Sequence, residues 1–340
     1  MQNLLDPAIL FFVFGIFAGL MKSDLEVPPA IAKFISMYLL MAIGLKGGFA
    51  LADAGFTSQL AASLFASVVM AIVVPALGYQ FLKKRMSKFD AAAIAASYGS
   101  VSAVTFVTAT QFLENHQLPF GGHMMVAMVV MESPAILMAV LLANSLRHEA
   151  VSVSSVQLAA GPGAAQAVLA PPAVAMSIPV KKILHESFTN GSHLLLLGSL
   201  LIGFLSAEAG QAVMRPFAVD LFKGLLAFFL LDMGLLVAKN AGGLRNMPPV
   251  LWVYALGGPV LHASLALLLA TVLNMAVADA VLLMVLSASA SYIVVPAVLR
   301  YAIPEAQPSL YCGLALGITF PFNMLLGIPA YTFVAQQFLG

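Results

Sequence analysis

The sequence predicts an all-α integral membrane protein: about ten transmembrane helices in two inverted-topology five-helix repeats, with discontinuous helices meeting at the midplane. Three observations carry this reading: an extreme composition, a one-sided distribution of basic loop residues, and an internal repeat. The chain has 340 residues, 61% of them hydrophobic and 9% charged, with a mean hydropathy of +1.01. Soluble domains carry roughly 25% charged residues, so a water-soluble globule is excluded. A bilayer crossing takes about 20 apolar residues, so ten crossings use roughly 200 residues and leave room for short loops only. The single cysteine, Cys312, excludes a disulfide framework and a cysteine-based metal cluster. A net charge of +1 gives no general attraction for nucleic acid.

Met1–Asp6 has no Lys or Arg, so the first apolar run reads as a retained helix and not a cleaved signal peptide. Apolar stretches bounded by charges, Pro or Gly place spans near 4–21, 29–51, 59–82, 91–113, 122–146, 192–212, 217–238, 250–273, 279–302 and 309–337. The last is too long for one straight span, and Pro321 and Pro329 predict that it is kinked or split.

Of the 15 basic residues, Lys22, Lys83, Lys84, Arg85, Lys88, Arg147, Lys181, Lys182, Lys239, Arg245 and Arg300 fall in alternate loops. Only Arg215 lies in a loop on the other side, while Lys33, Lys46 and Lys223 lie inside spans. The positive-inside rule then predicts a multi-pass protein of the cell (inner) membrane with both termini outside. Lys83-Lys84-Arg85 reads first as a topology determinant, with anionic lipid contact second.

The chain divides into an N-terminal repeat at 1–146, a cytoplasmic linker at 147–191 and a C-terminal repeat at 192–340. The linker is rich in Ala, Val, Ser, Pro and Gln, as in Leu169-Ala170-Pro171-Pro172-Ala173. It is a flexible tether or a docking segment for a regulator, and its composition does not choose. Across it, Lys33 and Gly44-Leu45 recur as Lys223 and Gly234-Leu235 at an offset of 190 residues. Asp90-Ala91, Ser100, Ser102 and Pro119 recur as Asp279-Ala280, Ser289, Ser291 and Pro308 at an offset of 189. Five spans per repeat would turn the second copy upside down, the arrangement in which many secondary transporters hold substrate between discontinuous helices. A duplication serving only as scaffold is the alternative.

Two segments look interrupted: Ser97-Tyr98-Gly99-Ser100-Val101-Ser102-Ala103-Val104-Thr105 and Ser287-Ala288-Ser289-Ala290-Ser291-Tyr292. Hydroxyls at every second residue share a face in extended backbone and not in a helix. Irregular backbone at membrane depth is tolerated only where protein buries it or a cavity solvates it. Small residues permitting tight helix packing are the competing explanation. If the helices do break, their N-termini suit an anion, while freed carbonyls and hydroxyls suit a hard cation such as Na⁺. Glu132 and Asp232 are the acidic candidates for ion coupling, as cation ligands or proton carriers; a cavity-facing role or pairing with Lys46 or Lys223 is the alternative. Lys33 and Lys223 read as snorkelling, and His123 and His262 as structural. The sequence contains no His-Glu-x-x-His, Gly-x-Ser-x-Gly, Gly-x4-Gly-Lys-Ser/Thr or Cys-x-x-Cys, so no enzyme is expected.

Several stretches, in order and spacing, resemble the sodium-dependent bicarbonate permease family of the cyanobacterial importers. They are Val27-Pro28-Pro29-Ala30-Ile31, Ile43-Gly44-Leu45-Lys46-Gly47-Gly48, Gly99-Ser100-Val101-Ser102 with Thr105, Ser133-Pro134-Ala135 with Ala143-Asn144, and Ser289-x-Ser291 with Pro296, Leu299-Arg300 and Ile303-Pro304. The resemblance implies a trimer, a PII-like cytoplasmic regulator, and Na⁺ and bicarbonate held between two broken helices. Carried onto this chain, the substrate and ion site comprises Gly99, Ser100, Ser102, Thr105, Ser289, Ser291 and Tyr292, with Na⁺ at the oxygens of Ser102, Thr105 and Ser291 and no other cofactor. The chain departs from the family at Ala103-Val104, where relatives have Gly-Ser, and at Tyr292, where they have Asp. Val294 and Val295 replace a small polar pair, and Glu132 stands for an Asp. The leading expectation is sodium-coupled bicarbonate import. A carrier or uniport for another small anion without Na⁺, or a membrane receptor that transports nothing, are the alternatives.

Overall fold

Local chemistry sets where the helices begin. Asp6 accepts a hydrogen bond from the Ala8 amide at 2.8 Å, and Pro7 occupies the first helical position, where its missing N–H costs nothing. Pro29, Pro249 and Pro308 start helices in the same way. Ser87 caps another by accepting from the Asp90 amide at 3.2 Å. The computed structural model describes residues 6–55, 58–158, 191–244, 247–292 and 294–340, and all secondary structure among them is helical.

The helices are α1 (Pro7–Leu20), α2 (Pro29–Ala54), α3 (Ser58–Leu82), α4 (Lys88–Gly99), α5 (Ala103–Asn115), α6 (His123–Leu158), α7 (Gly191–Arg215), α8 (Phe222–Leu244), α9 (Pro249–Val272), α10 (Val277–Ala288), α11 (Val294–Ala302) and α12 (Pro308–Leu339). Six segments among the described residues are long and apolar enough to cross a membrane, and Pro7–Leu20, His123–Glu132 and Val277–Ala288 are shorter apolar helices. One of the six, Leu194–Gly242, has 49 residues. At about 1.5 Å per residue it is more than twice as long as a bilayer core of about 30 Å. Its helical path breaks at Ala207, at φ 45° and ψ −137°, and a π turn at Pro216–Asp220 then leads into α8.

Two helix pairs are built on glycine. Along α2 and α7, a Cβ at Gly48 would stand 2.2 Å from the Leu200 carbonyl oxygen, and one at Gly203 would stand 2.5 Å from that of Leu45. Along α1 and α8, a Cβ at Gly15 would meet the Leu231 oxygen at 2.3 Å and one at Gly234 the Phe12 oxygen at 2.2 Å. Small residues four apart let backbones touch, which supplies packing where lipid offers no hydrophobic incentive to associate. The Tyr38 hydroxyl adds a hydrogen bond to the Phe217 carbonyl. These four helices form one bundle, while α3 packs on α4 and α6, α9 on α10, and α10 on α5 and α12, forming a second.

Cross-contacts sort the loops onto two faces. On the face from which the linker leaves, Gln307 donates to Asp90 at 2.7 Å and Arg147 binds Glu305 at 2.9 Å. On the opposite face, Gly121 donates to Asp279 at 2.7 Å and Asn115 to Asp6 at 3.0 Å. Asp90 and Asp279, equivalent in the sequence register, thus each bind an amide just before or at the start of a helix of the other half.

Two expectations change in detail. The segment from Pro308 to Leu339 is not split: π turns at Ala315–Thr319 and Asn323–Gly327 widen the helix around Pro321 and Pro329, so it absorbs both prolines and runs on. α6 continues past Arg147 to Leu158, so the first part of the stretch read as linker is helical. The Leu169–Ala173 stretch, and with it the choice between tether and docking segment, lies outside the described residues.

Candidate functional site

The two interrupted segments are interrupted where the hydroxyl spacing indicated. After Gly99 the chain extends, with Ser100 at φ −95°, ψ −178° and Ser102 at φ −101°, ψ 109°, and α5 then begins at Ala103. After Ala288, Ser289 is extended at φ −86°, ψ 169°, and α11 begins at Val294. The Ser102 hydroxyl caps α5 by accepting from the Thr105 amide at 3.2 Å, and the Ser291 hydroxyl accepts from the Val295 amide at 3.3 Å.

The breaks cross and bond to each other. The Ser291 amide donates to the Ser97 carbonyl at 2.8 Å, and the Ser97 hydroxyl donates back to the Ser291 carbonyl at 2.5 Å. The Ser102 amide donates to the Ser289 hydroxyl at 2.9 Å, which itself donates to the Leu286 carbonyl at 2.8 Å. Backbone groups that lipid could not satisfy are thereby paired inside the protein. α12 supports the crossing: Asn323 donates to the Ala288 carbonyl at 2.9 Å and is held by the Tyr331 hydroxyl at 3.0 Å. Thr319 donates to the Ala255 carbonyl at 2.9 Å, so at the 2.6 Å contact with Tyr98 it is the tyrosine that donates. Gly99 is needed for packing, since a Cβ there would stand 2.6 Å from the Pro75 ring of α3.

A cavity of about 380 Å³ runs from exposed Lys33 and Ser192, on the linker face, to Ser102, Ser291 and Tyr292 at the crossing. Buried Glu132 lies on its wall, with Ser36, Met128 and Phe229. The Ser102 hydroxyl also meets the Tyr292 phenol, which reaches Met233 Sδ at 3.7 Å. Of the predicted site residues, Ser102, Ser291, Tyr292 and Glu132 line this cavity, whereas Gly99, Ser100, Thr105 and Ser289 are buried behind it. The Ser100 and Thr105 hydroxyls are buried with no hydrogen-bond partner among the described residues.

Asp232 is placed elsewhere, half-buried in a neighbouring linker-face cavity of about 580 Å³ with Asp24, Glu26 and Lys239. Lys46 and Lys223, weighed as partners for Glu132 and Asp232, bond Glu114 and Asn115 instead, each at 3.0 Å. His123 is structural as expected, 3.0 Å from Ser63 and 3.4 Å from Asp279. Among the described residues no group of three His, Cys, Asp or Glu is placed to hold a metal ion. Ser36, Ser192, Asn323 and Thr319 were not anticipated. An Asn and a Thr inside an apolar span were the available signal for the last two.

An apolar bundle in which two helices break at one level, cross, and open their N-termini into a cavity has the architecture of a membrane transport protein. Residues 7–336 match the Na⁺-dependent bicarbonate transporter superfamily, and the chain belongs to it. It is therefore a transporter and not an enzyme. No curated protein matches the chain.

Proposed function

We propose that this protein is a secondary active permease that imports bicarbonate together with Na⁺. Its ten membrane crossings would form two inverted repeats, with the linker face in the cytoplasm and both termini outside. One observation carries the reading: Ser102 and Ser291 cap two separate helix N-termini and line one cavity. Each hydroxyl uses a lone pair to accept from its own helix; Ser291 keeps its O–H for donation, and Ser102 would turn its O–H from the Tyr292 phenol to the anion. Helix N-termini favour negative charge, so a small oxyanion gains donors from both halves at once.

Na⁺ would sit among the oxygens of Ser102, Thr105 and Ser291, where the unpartnered Thr105 and Ser100 hydroxyls offer ligands. Glu132 on the cavity wall would offset the cation's charge along its path. Transport then follows from movement of the α3–α6 and α9–α12 bundle against α1, α2, α7 and α8, which carries the crossing between faces. A trimer and a PII-like regulator at the linker face belong to the same proposal.

The test is uptake of labelled bicarbonate into proteoliposomes with and without an inward Na⁺ gradient. Gradient-dependent uptake that Ser102→Val and Ser291→Val abolish, while both variants elute as folded protein, is the expected result. A second reading has its own observation: a phenol, and no carboxylate, occupies the crossing at Tyr292. Equal uptake in both gradients would favour that Na⁺-independent uniport, and wild-type uptake in either valine variant would remove the site assignment.

A further inference from the structure

The cavity that reaches the crossing opens on the linker face. On the opposite face two other cavities, of about 280 and 880 Å³, stop short of it. The first ends at Thr108 and Gln111, the second at Lys46 and Glu114, and neither touches Ser102 or Ser291. Between them stands the last turn of α5, the helix whose first turn carries Ser102 and whose last carries Glu114 and Asn115.

That last turn is tied to the other bundle from three directions. Lys46 of α2 donates to both Glu114 oxygens at 3.0 Å and lies 4.3 Å from the centre of the Phe222 ring of α8. The Asn115 amide nitrogen donates to Asp6 at 3.0 Å, while its oxygen accepts from Lys223 of α8 and from Gln111, both at 3.0 Å. Asp6, Lys46 and Lys223 all belong to the α1, α2, α7 and α8 bundle or its caps. Glu114 and Asn115 belong to the bundle that carries the crossing.

We infer that Lys46–Glu114 and the Asn115 hub form a latch that closes the opposite face of the pathway and must part for α5 to expose its first turn there. The inference rests on the transport reading above. Two further observations support it. The Lys46 and Glu114 side chains are 15% and 34% exposed, so the pair is solvated enough to form and break without stranding a buried charge. The linker face has no equivalent in the repeat register: Glu114 and Asn115 correspond to Ile303 and Pro304, and Lys46 to Leu236. The face that has the latch is closed and the face without its counterpart is open.

The experiment is pulsed electron-spin distance measurement on the full chain in lipid nanodiscs, free of bicarbonate and Na⁺, so that its outcome does not depend on uptake. Spin labels at Gln117 and Gln211, both exposed on the opposite face, report separation of the bundles in a Cys312→Ala background. Glu114→Gln and Asn115→Ala should each raise the longer-distance population by about two- to fivefold, the effect of losing one partly exposed tie. The exchanged pair Lys46→Glu with Glu114→Lys should return it toward the wild-type value, which a misfolded variant would not do. Unchanged distributions in both single variants, or a swap that behaves like Glu114→Gln alone, would overturn the latch. Distances that respond in a protein that takes up no bicarbonate would support the latch and refute the proposed substrate.

Discussion

The seam between α2 and α7 allows a direct test of how the first bundle is held. Replacing Gly48 with Ala places a methyl 2.2 Å from the Leu200 oxygen, 2.6 Å from the Phe204 nitrogen and 2.8 Å from the Gly203 Cα, all of them backbone. Ordinary contact begins near 3.4 Å, so at that turn the helices must separate by the difference between 3.4 and 2.2 Å, which is 1.2 Å. A radial gap of 0.5–1 Å forfeits about a quarter to a half of each dispersion contact, and the neighbouring Gly44 and Gly203 contacts open with it. Overpacking usually costs about 1–3 kcal/mol, and with no flexible side chain to yield the cost here belongs at the upper end. Gly257 of α9 is the control, because a Cβ there meets nothing within 4 Å. Ala at Gly257 should be stabilising by about 0.5–1 kcal/mol through helix propensity alone. Reversible unfolding in mixed micelles with increasing dodecyl sulfate, followed by circular dichroism, gives both values. Gly48→Ala as stable as Gly257→Ala would refute backbone contact as the basis of the seam.

Two other expectations concern the loops. Asp279→Ala strands the Gly121 amide, and Asp90→Ala the Gln307 amide, so each should lose about 2–3 kcal/mol in the same unfolding assay. Asp→Asn keeps an acceptor oxygen and should lose less; equal losses would make burial, not the hydrogen bond, the cause. Arg147, hydrogen-bonded to Glu305, holds that carboxyl below its ordinary value. A pKa lowered in the folded state adds stability above the unfolded value of about 4.3, and that stability is lost as pH falls through the folded pKa. The thermal midpoint of the wild type should therefore fall more than that of Glu305→Gln on acidification through this range, and parallel curves would dismiss the pair.

Apolar run lengths placed most helix ends within a few residues, because a crossing must be about 20 residues long and every backbone group must be paired. The exceptions are α6, which runs on to Leu158, and α8, shifted to Phe222–Leu244. The breaks at Ser100–Ser102 and after Ala288 were legible for a related reason, since alternating hydroxyls are useless to a helix at that depth. Pro321 and Pro329 left a kink and a split both open, and the helix is not split. A missing N–H can end a helix or widen it, and the choice depends on what packs around it, which no local pattern contains. The side-chain pairings were hidden for the same reason. The sequence offered Glu132 and Asp232 as partners for Lys46, and the folding of α2 against the end of α5 pairs it with Glu114 instead. Asp232 faces the neighbouring cavity of Asp24 and Glu26, close enough for its charge to act on the Tyr292 phenol.

The location of the charges bears on mechanism. Lys46, Glu114 and Lys223 tie the bundles together on one face, and Arg147 and Glu305 pair on the other. Ser97, Ser102, Ser289 and Ser291 hold the crossing with neutral groups throughout. A carboxylate fixed at the moving centre would have to be carried through the membrane interior on every empty return, at a cost of a few kcal/mol unless it took a proton or cation with it. Capped helix ends and hydroxyls leave the crossing itself with no net charge when it is empty. Glu132 rides on α6 with the bundle that would move, so on the proposed mechanism its buried carboxylate makes the return only with a cation or proton bound, which ties it to Na⁺ binding. Exchanging Glu132 for Gln should accordingly slow Na⁺-driven uptake at low Na⁺ more than at saturating Na⁺. An equal loss at all Na⁺ concentrations would place Glu132 in the translocation step itself.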